Sequence, residues 1–114
     1  MQLASSALVA TERPTRYLKR LCEHFARERG RHGAPEVEVR FDEYEGYVDF
    51  APIVSGACRL DARNEGLLVL SATGADQGAL AEVQRILSEH VERFGRSEGL
   101  SADWGPASEV ASPR

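Results

Sequence analysis

Four stretches between Glu36 and Ala72 repeat one pattern, and that repetition restricts the possible folds most. In EVEVRF, Val37, Val39 and Phe41 point one way, and Glu36, Glu38 and Arg40 the other. GYVDF resumes the alternation, with Val48 and Phe50 on one side and Tyr47 and Asp49 on the other. GACRL places Cys58 and Leu60 on one face, and GLLVLSA carries the heaviest apolar load. Between them lie turn signals. DEYEG reads as a hairpin whose Gly46 takes a positive φ, Pro52 and Gly56 mark a break, and Asn64-Glu65-Gly66 makes the next turn. Consecutive strands joined this tightly predict an antiparallel meander with one dry and one wet face.

The dry face needs a cover, and two stretches of helical period supply it. After Pro14, Tyr17, Leu18, Leu21, Cys22 and Phe25 recur at i, i+3, i+4 and i+7. Pro14 suits a first turn, with Thr11 or Thr15 as the cap. Gly30, Gly33 and Pro35 end the run. Further on, Leu80, Val83, Ile86, Leu87, Val91 and Phe94 form an apolar stripe, with Asp76 before it as N-cap and Gly95 and Gly99 after it. Six such side chains at ~1.5–3 kcal/mol each place roughly 10 kcal/mol of gross burial on this helix. Residues 2–10 alternate weakly and suit an edge strand, with Leu3, Ala7 and Val9 inward and Leu8 outward. LSADW suits a short last strand, and GPASEVASPR reads as a disordered tail. The expected fold is α+β, in the order β-α-β-β-β-β-α, with both helices on one face of an antiparallel sheet. Residues 1–104 form one domain and 105–114 the tail.

Charge and cysteine use limit the function. A net charge of −4 argues against a nucleic-acid binder, and the longest apolar run, Leu67 to Leu70, is far too short for a membrane span. The opening MQLASSALVATERP has no basic start and no long apolar run, so no signal peptide is expected. Two cysteines in 114 residues suit buried thiols in the cytoplasm, the expected location. No Gly-rich phosphate loop, nucleophile elbow or Ser-His-Asp order appears, so no cofactor is implied and no enzyme class is supported.

Four groups of residues are candidates for chemistry. Cys22, His24, Cys58 and His90 combine thiol and imidazole, which suits zinc. They lack C-x2-C or H-x3-H spacing, and Cys22 and His24 lie about 200° apart on a helix, so one metal does not easily use both. Buried structural cysteines are the first reading, with Cys22, Cys58 and His90 the ligand set of a metal or thiol enzyme if there is one. His90 sits within the second apolar stripe, hydrogen-bonded in the core or, with Arg93, lining a small-ligand pocket. Residues 13–31 hold seven basic side chains against Glu23 and Glu28, a net +5 that leaves −9 elsewhere. Arg16, Arg20 and Arg27 share one helical face. That face is either solvated, with Glu23 supporting Arg27, or a docking surface for an anion or acidic protein. Asp42, Glu43, Glu45 and Asp49 form an acidic hairpin, read either as a solvated tip or as the partner of the basic helix of a second copy in a homo-oligomer.

RPTRYLKRLCEHF resembles the bacterial family known as domain of unknown function 2218. The hairpin ending in DF, GACRLDA and SEHVERFGRSEGLSADW are similar to the rest of that family, so the resemblance covers about residues 8–104. Tyr17-Leu18-Lys19, Cys22, His24-Phe25, His90 and Arg93-Phe94 carry it best. The element order also resembles the TATA-binding-protein-like architecture, as an analogy of fold. Some family members lie beside, or are fused to, siderophore-interacting flavin reductases. The resemblance therefore implies a link to iron and siderophore metabolism through such a reductase partner.

Overall fold

The computed structural model describes residues 2–28, 38–50 and 54–110. The helix stop at Gly30, Gly33 and Pro35, the basic Arg29 and Arg31, and Glu36, Val37 and Pro52 lie outside the described residues. Strand β1 (Gln2–Ala10) leads into helix α1 (Pro14–Glu28). Strands β2 (Glu38–Phe41), β3 (Glu45–Asp49), β4 (Gly56–Asp61) and β5 (Leu67–Gly74) follow. Helix α2 (Gln77–Phe94), a 3-10 turn (Arg96–Glu98) and strands β6 (Asp103–Trp104) and β7 (Ser108–Val110) complete the chain.

The expected meander is present. The strand order is β2-β3-β4-β5-β1-β6, with β7 also paired to β1, and every pairing is antiparallel. Two expectations are corrected. β1 is not an edge strand: β5 pairs with it along Leu3–Ala10, and β6 and β7 cover its other side at Ala7–Leu8 and Gln2–Ala4. Residues 108–110, read from sequence as disordered tail, are strand β7. The reason is long-range: β1 presents a second row of backbone groups, and a short polar segment satisfies it without any apolar pattern of its own.

Inward residues follow the period of two. Ala7 and Val9 on β1, Val48 on β3, Cys58 and Leu60 on β4, and Leu68, Leu70 and Ala72 on β5 are buried. Leu8 points outward and is exposed. Val39 packs against the core, but Phe41 at the end of β2 is exposed at the rim instead of turned inward. Leu18, Leu21 and Cys22 of α1 and Leu80, Val83, Leu87 and Val91 of α2 cover the dry face, with Ile86 and Phe94 partly buried.

The caps follow local chemistry. The Asp76 carboxylate accepts from the Ala79 N–H at 2.7 Å and closes the start of α2. At α1, Thr11 Oγ1 accepts from the Arg13 N–H at 3.1 Å, whereas Thr15 donates to the Glu43 carbonyl and ties the helix to the β2–β3 turn. Gly66, at φ +77°, supplies the left-handed residue of the β4–β5 turn. Gly46 lies within β3 and serves another purpose: a Cβ there would come 2.7 Å from Cys22 Sγ, so its small size lets α1 seat on the sheet. No helix among the described residues is long and apolar enough to cross a membrane.

Candidate functional site

The sequence candidates separate into a buried group and a cleft group. Cys22 and Cys58 are free and fully buried. Burial, with the Glu23 charge adding to it, pushes the Cys22 thiol up to about 12. Burial pushes the Cys58 thiol up as well, with Cys22 adding to the effect, and its S–H donates to the Arg59 carbonyl at 3.4 Å. A thiol held protonated in an apolar core is neither a nucleophile nor a ready metal ligand. The set Cys22, Cys58 and His90 is not assembled. Among the described residues, no group of three or more His, Cys, Asp or Glu side chains is placed to hold a metal.

The two histidines behave differently. His24 on α1 and His90 on α2 are half-buried, and their Nε2 atoms lie 3.1 Å apart across the cleft between the helices. His90 Nδ1 lies 2.7 Å from the Ile86 carbonyl. A carbonyl only accepts, so His90 Nδ1 carries the proton and His90 Nε2 is the acceptor. His24 Nε2–H is then the donor in the inter-helix bond. The imidazoles are packed by aromatic rings: Phe25 stands 4.9 Å from His90 and Phe94 stands 5.3 Å from His24, centroid to centroid. The sequence leaves His90 either hydrogen-bonded in the core or in a pocket beside Arg93; the ring contacts the Ile86 carbonyl and His24, and it also lines a surface cavity of about 320 Å³ with Glu89, Glu92, Arg93 and Arg96.

Arg20 lies near this cleft, Arg93 and Arg96 line the cavity beside His90, and Arg27 lies in a separate cavity with Phe41. The Arg20 guanidinium sits 5.4 Å over the Phe94 ring. Arg16, Arg20, Arg27 and Arg93 are exposed, and none makes an ion pair among the described residues. The support expected from Glu23 to Arg27 is not formed. By contrast, Arg40 pairs with Glu38, Arg63 with Glu45, and Arg85 with both Glu82 and Glu89.

The acidic hairpin is a structural turn. Asp42 Oδ1 accepts from the backbone N–H of Tyr44 and Glu45 at 2.8 and 2.9 Å. Those two donors, Glu45 first, hold its carboxyl below the usual range. Sequence reasoning missed Glu98, whose carboxylate accepts the Tyr17 hydroxyl proton. That bond first, then burial, raises Tyr17 above its ordinary value. The signal was available: a phenol placed on an apolar helix face needs a partner for its hydroxyl. Trp104 likewise donates from Nε1 to Ser88 Oγ at 2.8 Å, fastening β6 to α2.

Comparison with known proteins adds a family and a fold. The model of a family described as uncharacterized proteins conserved in bacteria (DUF2218) matches residues 6–105. The NMR structure of PA4090 from Pseudomonas aeruginosa is similar at 29% identity, with a TM-score of 0.70, covering 94% of this chain and 99% of that one. No curated protein matches.

Proposed function

The chain belongs to the family of uncharacterized bacterial proteins DUF2218, and from that starting point we propose that it is a small binding or accessory module, not an enzyme. Its docking element is the arginine face of α1, and its partner is an acidic surface. The carrying observation is that Arg16, Arg20 and Arg27 are exposed with no ion pair among the described residues, while Arg40, Arg63 and Arg85 each hold a carboxylate. A guanidinium presents planar donors matched to carboxylate or phosphate, so a row of them with no ion pair among the described residues favours an anionic surface. The family resemblance supplies the partner to try first, a cytoplasmic siderophore-interacting flavin reductase. Both thiols are buried and held protonated, which further supports binding over thiol chemistry.

Titration of that reductase with fluorescently labelled protein tests the reading. Saturable binding that weakens as salt rises is expected. Arg16→Glu with Arg20→Glu should weaken it about tenfold or more, because like charges then face each other. Absence of binding, or binding indifferent to the double reversal, rejects the reading. Self-association that the reversal abolishes reassigns the arginine face to a second copy of the chain.

A further inference from the structure

The pair of imidazoles between α1 and α2 has the form of a metal clip. His24 Nε2 and His90 Nε2 converge at 3.1 Å from separate helices. A tetrahedral ion with Zn–N distances near 2.0–2.1 Å needs its two nitrogens roughly 3.4 Å apart with both lone pairs turned toward the ion, so a few tenths of an ångström of opening and a modest turn of each ring admit it. His90 already donates its other ring nitrogen to the Ile86 carbonyl at 2.7 Å, the outer hydrogen bond that commonly orients a metal-binding imidazole. We propose that His24 and His90 bind one divalent transition-metal ion, Zn²⁺, Ni²⁺ or Cu²⁺, through their Nε2 atoms. Water or an incoming anionic ligand takes the remaining positions. In the metal-free pair, His24 Nε2 carries the bridging proton. On binding, His24 takes its Nδ1–H tautomer, so both imidazoles stay neutral and no proton is lost.

The surroundings permit a cation. Beside His90 alone, a cavity is lined by two carboxylates, Glu89 and Glu92, and two guanidiniums, Arg93 and Arg96, whose charges balance. The Arg20 charge is directed onto the Phe94 ring. Phe25 and Phe94 pack the imidazoles and limit their rotation. Imidazole ligands select zinc, copper and nickel over magnesium, calcium and manganese. The proposal stands apart from partner docking, because its test uses the isolated chain.

Metal-stripped full-length protein is titrated with ZnCl₂, NiCl₂ and MgCl₂ by calorimetry, and its thermal midpoint is followed in each salt. One saturating equivalent of Zn²⁺ or Ni²⁺ with a raised Tm is expected, and neither effect with Mg²⁺. His24→Gln and His90→Gln should each abolish the saturable heat and the Tm rise. Histidine NMR on the unmodified protein gives a readout independent of those variants: the ring signals of His24 and His90 should move with Zn²⁺ while those of His32, the third histidine of the chain, stay in place. Absence of one-to-one binding overturns the proposal. So does binding that survives both substitutions, or binding lost with His32→Gln instead.

Discussion

At the scale of the residue, the contact between Gly46 and Cys22 shows what local pattern conceals. DEYEG reads as a turn from sequence, and a turn glycine is the natural interpretation of Gly46. The true constraint comes from α1, whose Cys22 Sγ lies 2.7 Å from where a Cβ would sit, with Phe41 Cβ 3.3 Å from the same point. Nothing within several residues of Gly46 announces that neighbour. Gly46→Ala should therefore destabilise by ~1–3 kcal/mol, the usual cost of overpacking. Cys22→Ala in the same chain should recover part of it, whereas Cys22→Ala alone should destabilise. Urea unfolding of the four variants measures the coupling, and simple additivity would refute the contact. Cys22 also sets an alkaline limit. Its ordinary value is 9.0 and burial raises it to about 12, so the folded state keeps the proton that the unfolded chain gives up. Its contribution is complete below about pH 9 and falls as pH rises toward 12. Tyr17, also raised, acts in the same direction. Stability should drop between pH 7 and about pH 10, less steeply in Cys22→Ala. Native protein at pH 8 should leave a thiol reagent unreacted until denatured, as expected for buried, protonated cysteines.

At the scale of the element, α2 is the best case for reading structure from sequence, and the histidine pair is the counter-case. The ridge Leu80, Val83, Leu87 and Val91 is buried, and Asp76 caps it, because both features are written in spacing that any helix obeys. Leu87→Ala should cost ~2–5 kcal/mol through lost transfer energy and a cavity. Asp76→Ala should cost ~1 kcal/mol, since only the Ala79 N–H loses its partner. Thermal or urea unfolding should show that difference, and equal costs would mean the ridge is not the main support of the helix. His24 and His90 lie 66 positions apart, His24 at the edge of its apolar stripe and His90 within its own. Helical phase places each on its helix, but whether the two meet depends on how α1 and α2 cross the sheet. That crossing is set by whole surfaces, and no local pattern reports it. The same blindness made the cysteines look like partners of His90. Cys22 faces Gly46 on β3, whereas His90 faces the cleft. Residue types were legible as candidates; their grouping was not.

At the scale of the molecule, the chain ends determine how the sheet is finished. The meander β2 to β5 follows sequence order, as short turns require. β1 then inserts beside β5 and becomes interior only because the last described residues return to it. Ser5 Oγ donates to the Gly105 carbonyl at 2.7 Å, and the Gly105 N–H donates to the Ser6 carbonyl at 2.8 Å, so the return is anchored between β6 and β7. An open strand edge is a template for another chain, and a polar segment such as SEV blunts it without adding to the core. Removing residues 107–114 tests this role. The Gly105 anchor and β6 remain, so the core should hold and the loss should stay near the ~1–3 kcal/mol of a few backbone hydrogen bonds. Amide exchange should accelerate selectively at those β1 positions among Gln2–Ala4 whose N–H groups face β7, while those facing β5 keep their protection. The uncovered edge should also make self-association rise with concentration in sedimentation runs. Uniform acceleration across the sheet would mean that β7 supports the whole fold. Unchanged exchange at Gln2–Ala4 would mean that β7 does not cover β1 in solution.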